Sequence, residues 1–593
     1  MTPTASDRMG DRCFAAVVCA AVAFCWVNHL SDPPWFQVLS EFTDEAQYSL
    51  NCQHYLKTGT WELTWQNNIW NSPLYQGVCL LGMSIFGTTL FAIRTVSAIF
   101  ASGTILVIAF FWRRNFGWKI SAAAVTLLSL NSGFYELRRA TGPEMSALFF
   151  TTLGYCLLAE DGQVARLSAG VSLGAAVLCK ITSVYWLGGA LAYIAFTVWR
   201  RREKAFSAAL FLIPVAAAAG CVGVIFLLGR GRWNTQLAVE ASFFSAQQAW
   251  YQRFLLLLTG DSALCPGLIL AWTGASSWFA SLWAPRNGGA APERRAEDAA
   301  TFWALGILAV SLIWPTSMPR RIIGSIIPLS LLCVLGFHRM SVSLRCARTW
   351  RKAAFAVTMV LQAAFWGVAV SNCAAGFKHY IARSSAETGI RAGLLWACDP
   401  KALATLWWIA CALFAVSALA LRGKSESKSS IVNRLAVAVW MVAFGASAWF
   451  TVGWCAMNPS YTVLQSCRRV AGMFRAGDAL VAHLHDGRQA FLLSLEGPAA
   501  PLMEAPRPEP WRGDVRLLKR ARCATVMRRT LWKWSKAEGW VHPPKPEDIV
   551  NTLSLDVIPN PWGVCAYTFQ IAFLSAESPQ GAIPAQSAQE NVK

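Results

Sequence analysis

Charge is what this sequence has least of. Only 14% of its 593 residues are Asp, Glu, Lys or Arg, against about 25% in an ordinary soluble domain. With 55% hydrophobic residues, so few charges cannot cover a water-facing surface, and a soluble protein is excluded. Acids are the scarcer sign, with 32 Asp and Glu against 52 Lys and Arg, a net charge of +20. An excess of this kind can mark nucleic-acid binding, but its placement argues otherwise. The Arg200–Lys204 cluster, Arg294-Arg295, the stretch from Arg345 to Lys352 and the stretch from Arg422 to Arg434 all lie in short segments between apolar runs. That is where the positive-inside rule puts cytoplasmic charge. Metal-ligand cysteine spacing is missing as well. None of the 18 cysteines forms recurring C-x-x-C pairs, so there is no zinc framework. Nor is there an internal repeat of the kind that marks many secondary transporters.

Long apolar runs are what the chain has in their place. A bilayer span needs roughly 20 mostly apolar residues, and such runs fall at 13–28, 95–112, 118–135, 143–160, 165–180, 182–199, 205–229, 262–283, 300–316, 321–338, 353–371, 401–421 and 433–453. The first follows Arg8 and Arg12 as a signal peptide would, but Asp44 and Glu45 close behind it fit a retained helix better. A further run, 74–93, contains Gly77, Gly82 and Gly87 and ends at Arg94. Counting it as a span would move every basic cluster to the outside. The charge bias therefore predicts that it lies at the outer interface or re-enters from it.

The expected fold is thus an all-α polytopic membrane protein of about thirteen spans over 1–453, with its amino terminus cytoplasmic. Segments 29–94, 230–261 and 372–400 then face the extracytoplasmic side. So does a small α/β domain over 454–577, with a helix expected at 461–475 and strands at 479–482, 490–495 and 567–573. The Ser/Gln/Ala/Pro-rich tail 578–593 has the composition of disorder. Cys52, Cys373, Cys398, Cys467, Cys523 and Cys565 would meet an oxidising compartment, which leaves room for one or two disulfides whose pairing the spacing does not reveal.

Chemistry gathers in the outer segments. Asp44-Glu45-Ala46-Gln47-Tyr48 is followed by Leu56-Lys57-Thr58-Gly59-Thr60-Trp61, Ser72-Pro73-Leu74-Tyr75, Phe86-Gly87 and Arg94. A carboxylate beside low-dielectric surroundings can have its pKa raised into the range of a general base, although an adjacent acidic pair also serves as a plain helix start. Arg138-Arg139-Ala140-Thr141-Gly142-Pro143-Glu144 puts proline and an acid at the start of an apolar run, which is sound helix-start chemistry by itself. Lys180 ends the run Gly174–Cys179, where a lysine can simply snorkel to the interface. Pro319-Arg320-Arg321 puts two arginines on the outer side, against the bias of the other loops, and bidentate binding of an anion explains the exception.

Together these strings resemble the GT-C glycosyltransferases, most closely the bacterial branch with the lipid A aminoarabinose transferase and the dolichyl-phosphate-mannose-type protein mannosyltransferases. The likeness is strongest over 40–100 and continues more weakly to about 340. It implies that Asp44 is the catalytic base with Glu45 as its neighbour, and that Arg139 and Glu144 form the second outer motif. It further implies that Lys180, Arg94 and Arg320 or Arg321 bind the donor phosphate. Asn71-Ser72-Pro73 stands where the family often has His or Lys before a Pro-Pro pair.

The implied activity moves a sugar, hexosyl or pentosyl, from a polyprenyl-phosphate donor to an envelope glycan, lipid or protein. The implied setting is a bacterial inner membrane with the active site outside, and membrane lipids are partners while nucleic acid is not. One Asp-Glu pair without histidine does not specify a cation site, so a divalent cation is left open and no other cofactor is implied. A transporter or flippase of an anionic lipid-linked substrate is the alternative. It would need ionisable residues in mid-span, where this sequence has few. A membrane scaffold with the tail as a binding module gives no account of the acidic loop.

Overall fold

The computed structural model describes residues 5–26, parts of 48–61, residues 69, 72–88 and 90–129, scattered positions from 131 to 138, residues 142–201, 205–228, 291–313 and 323–343, and five strands beyond residue 479. Nine α-helices are used below: α1 (Ala5–Trp26), α2 (Pro73–Phe86), α3 (Leu90–Ser129), α4 (Pro143–Leu158), α5 (Gln163–Cys179), α6 (Val184–Arg201), α7 (Ala205–Leu228), α8 (Pro292–Ile313) and α9 (Ile326–Ser343). Their apolar sequences leave little choice, because in lipid a helix is the way a single segment satisfies its own backbone.

Four stretches among the described residues are long and apolar enough to cross a membrane: Met9–Trp26, Phe91–Ser129, Ile181–Arg200 and Phe206–Ile225. Large apolar side chains such as Phe110, Val171, Ile213 and Val224 stand exposed on the outside of the bundle, as lipid-facing residues must.

α3 is two antiparallel pieces. Gly117 has φ +77 inside it, a conformation open to glycine at little cost, and Ser121 Oγ donates to the Ala109 carbonyl at 3.1 Å. Twelve residues of continuous helix would hold those atoms about 18 Å apart, so the chain doubles back there, between the expected runs 95–112 and 118–135. α2 behaves differently. Its 14 residues reach only about 21 Å, short of a hydrocarbon core of about 30 Å.

Packing follows chain order with one exchange. α1 lies on α3, α4 on both α3 and α5, α5 on α7, and α6 on α8. The α6–α8 crossing is close. A Cβ on Gly306 would collide with the Gly189 backbone, and one on Gly189 would strike the Phe302 carbonyl. Small residues let helix backbones approach in this way inside membranes. Beside that crossing Tyr155 stacks on Trp303 with centroids 4.7 Å apart and donates its hydroxyl to the Trp186 carbonyl at 2.8 Å.

The bundle has two chemically distinct ends. At the end where α3 turns, Arg113 pairs with Asp11 at 2.6 Å, Arg114 with Glu160, and Arg295 with Asp161 at 2.7 Å. Arg339 grips Glu297 there with two hydrogen bonds, one of them 2.6 Å long. Arg166 and Arg295 also donate to the Leu158 and Ala159 carbonyls, satisfying the open C-terminus of α4. The opposite end carries α2, the first turn of α4 and the last turn of α5.

Beyond the helices, β1 (Leu480–Ala482), β2 (Leu502–Glu504), β3 (Cys523–Thr530), β4 (Ile549–Val557) and β5 (Ala566–Leu574) form one sheet in the order β2-β1-β3-β5-β4. β1 is parallel to β2 and β3, whereas β5 is antiparallel to β3 and β4. The strands expected at 479–482 and 567–573 correspond to β1 and β5. The helix expected at 461–475, the strand at 490–495 and the runs 262–283, 353–371, 401–421 and 433–453 lie outside the described residues.

Candidate active site

The site is built on the α4–α5 hairpin. Extended backbone at Gly142 leads into Pro143 at the first helical position, with Glu144 in the first turn of α4. Proline suits that position because its missing N–H would be unbonded anyway, and a carboxylate there meets the positive end of the helix dipole. Glu144 folds back over Gly142, whose bare Cα leaves room for the carboxylate. α5 returns antiparallel and ends at Cys179, leaving Lys180 extended (φ −151, ψ 117), its N–H bonded to the Ala176 carbonyl at 3.0 Å. A cation there meets the negative end of the α5 dipole.

The two side chains meet. Lys180 Nζ donates to Glu144 Oε1, and their side chains are only 15% and 9% exposed. Lys180 is therefore neither buried alone nor snorkelling free; it is held against a carboxylate 36 residues earlier in the chain. Desolvated ions need such matching, since either one alone would be strongly unfavourable.

Two arginines stand fully buried at the same end, Arg94 in the first turns of α3 and Arg138 just before α4. Arg138 donates from Nη1 to the Cys25 carbonyl at 2.6 Å and lies over the Phe24 ring, 4.7 Å from its centroid. It thus closes the C-terminus of α1, where carbonyls lack helical donors and a cation is favoured. Sequence reasoning singled out Arg139 and passed over its neighbour.

Of the predicted site residues, Glu144 and Lys180 are brought together and Arg94 is buried at their end of the bundle. Asp44, Glu45, Arg139, Arg320 and Arg321 lie outside the described residues. The acidic string nonetheless has an anchored neighbour. Tyr48 is buried, and its ring meets Tyr75 of α2 edge-on at 5.5 Å. Further along the same loop Tyr55 stacks on Trp61 at 4.7 Å. Among the described residues no group of three or more His, Cys, Asp or Glu side chains comes together.

This hairpin lies within residues 71–226, which match the family model for dolichyl-phosphate-mannose-protein mannosyltransferase. The fold as a whole is similar to ArnT from Cupriavidus metallidurans bound to undecaprenyl phosphate: TM-score 0.54, 15% identity, covering 94% of this chain and 97% of that one. The family match covers residues 71–226 alone, and the likeness to ArnT is one of fold. ArnT in the apo state aligns over the same shares with TM-score 0.54 and 14% identity. The arabinosyltransferase EmbB from Mycobacterium smegmatis aligns at TM-score 0.46 and 17% identity, covering 75% of this chain and 42% of that one. No curated protein matches this sequence.

Proposed function

We propose that this protein is a GT-C glycosyltransferase that transfers a hexosyl or pentosyl group from a polyprenyl-phosphate donor to an envelope lipid, glycan or protein. The end bearing Glu144 and Lys180 faces the extracytoplasmic side of a bacterial inner membrane. The observation that carries this reading is the gathering of Lys180, Glu144, Arg94 and Arg138 at one end of the segment that matches the mannosyltransferase family. The opposite end, with its arginine-rich turns, takes the cytoplasmic side by the positive-inside rule.

The chemistry is a displacement at the anomeric carbon. Asp44 takes the acceptor hydroxyl proton, with Glu45 beside it, as the new C–O bond forms. The bond from the anomeric carbon to the phosphate oxygen breaks, and its electron pair leaves on the polyprenyl phosphate. Attack opposite the leaving group inverts configuration. Arg320 and Arg321, with Lys180 and Arg94, stabilise the departing phosphate, the role that preorganised cations play wherever negative charge develops. Glu144 orients Lys180 toward that phosphate, and Arg139 lines the same motif.

Sugar transfer from a polyprenyl-phosphate donor by wild type and Asp44→Asn at equal expression is the test. Transfer should fall about 10²-fold or more, as general-base removal does, with donor binding little changed. Near-normal transfer by the variant would remove Asp44 from the mechanism. Chelator added to the wild-type reaction shows in the same assay whether a divalent cation takes part.

A further inference from the structure

The first outer loop meets α2 through a pair of thiols that the transfer chemistry does not use. Helical turns at 48–49 and 51–53 bury Tyr48, Ser49, Asn51, Cys52 and Gln53. Cys52 Sγ donates toward Gln76, 3.0 Å from Oε1 and 3.4 Å from the carbonyl oxygen. Cys79 follows Gln76 by three residues, so it lies on the same face of α2 one turn further on. Cys52 and Cys79 are both fully buried, and each is placed against Gln76, Cys52 by its hydrogen bonds and Cys79 by the helical turn.

We propose that Cys52 and Cys79 form a disulfide that ties the acidic first loop to α2. Sequence alone placed Cys52 among six candidates on the outer side and left Cys79 inside an apolar run. Only the fold brings the two together. The inference rests on the orientation proposed above, since disulfides persist in oxidising compartments and not in the cytosol.

The bond forms by exchange. The Cys52 thiolate attacks a disulfide of an extracytoplasmic thiol oxidant and gives a mixed disulfide. The Cys79 thiolate then displaces the oxidant, which leaves as a dithiol; two protons and two electrons have passed from the pair. Burial, reinforced by the neighbouring thiol, holds Cys52 well above the ordinary thiol range, so little thiolate exists once the loop is packed. Exchange therefore precedes closure of the loop, and afterwards Tyr48 and Tyr75 shield the bond from reductant. The consequence for activity is positional: Asp44 lies four residues before Tyr48, on the strand of loop that the bond restrains.

Differential alkylation of the full-length protein tests this. Membranes are quenched in acid, unfolded, alkylated with a light reagent, reduced, and alkylated with a heavy one. Cys52 and Cys79 should carry the heavy label in most molecules and Cys156 the light one, with a Cys52–Cys79 linked peptide in the unreduced digest. Cys52→Ser should convert Cys79 to the light label. Light label on both cysteines, or linkage of either to another cysteine, overturns the proposal. Thr60→Cys in spheroplasts, probed with an impermeant maleimide, reads orientation separately. Labelled Thr60→Cys with light Cys52 and Cys79 refutes the disulfide alone, whereas unlabelled Thr60→Cys refutes the orientation and the disulfide with it.

Discussion

Replacing Lys180 with Met takes the facing ammonium away from the Glu144 carboxylate, in a hairpin that buries Leu148, Thr151 and Leu173. Truncating one member of a buried ion pair costs about 3–5 kcal/mol, most of it the penalty of stranding the other charge. The side chains are 15% and 9% exposed, close to the buried limit, so the upper part of that range applies less to Glu144→Gln, whose stranded lysine is the more exposed partner and has a flexible stem to reach water. The double variant Glu144→Gln/Lys180→Met removes both charges of the pair and should recover most of the loss, leaving a coupling of roughly 2–4 kcal/mol between the positions. Denaturant titration of the purified protein in mixed detergent micelles, followed by tryptophan emission, measures the cycle. Single variants that each lose under about 1 kcal/mol, the value of an exposed pair, would refute the reasoning: the pair would then be hydrated. Donor binding measured on the same preparations separates stability from function. Glu144→Gln keeps the cation and should retain phosphate affinity better than Lys180→Met.

Arg320→Gln/Arg321→Gln should weaken binding of a polyprenyl-phosphate donor by 10-fold or more, on the scale of losing charge-assisted hydrogen bonds, with the unfolding midpoint little moved; unchanged affinity would make both residues anchors. Glu45→Gln should lower transfer less than Asp44→Asn, and equal losses would mean that both carboxylates take part in proton removal. Glu297→Gln removes one prong and the charge of the contact with Arg339 and should destabilise the protein by about 1–2 kcal/mol while the transfer rate per folded molecule is kept; a selective loss of transfer would tie that end to the chemistry. Thr60→Cys should react with impermeant maleimide from the outer face and Trp199→Cys only after the membrane is opened, both positions being exposed; the reverse pattern would invert the topology.

Helices were legible because apolar length is a strong signal in a chain with so little charge. The turn inside α3 was legible too, since Arg113, Arg114 and Lys119 mark it in the sequence. Pairings across the bundle were not. Glu144 and Lys180 meet because α4 and α5 have nearly equal lengths, a property of two helices together, and neither residue's neighbours reveal it. Arg138 and Arg139 are indistinguishable by type, and only the direction of approach to the α1 terminus selects the first. In the tail, the runs 479–482 and 567–573 read as strands, whereas the mixed parallel and antiparallel order around β3 depends on connections that residue patterns do not encode.

The carboxylate–arginine contacts at the α3 turn have a mechanical consequence. They join α1 to α3, α3 to the end of α4, the α4–α5 turn to α8, and α8 to α9, so helices distant in sequence are fastened at one rim like stems tied below a bouquet. A bundle bound at one rim can spread only at the other. Lateral entry of a long lipid would then cost least where Lys180 waits, and the motion that admits it should leave the tied rim almost still. Amide hydrogen exchange near Glu160 and Glu297 should accordingly stay slow under conditions where the first turns of α4 and the last turn of α5 exchange faster.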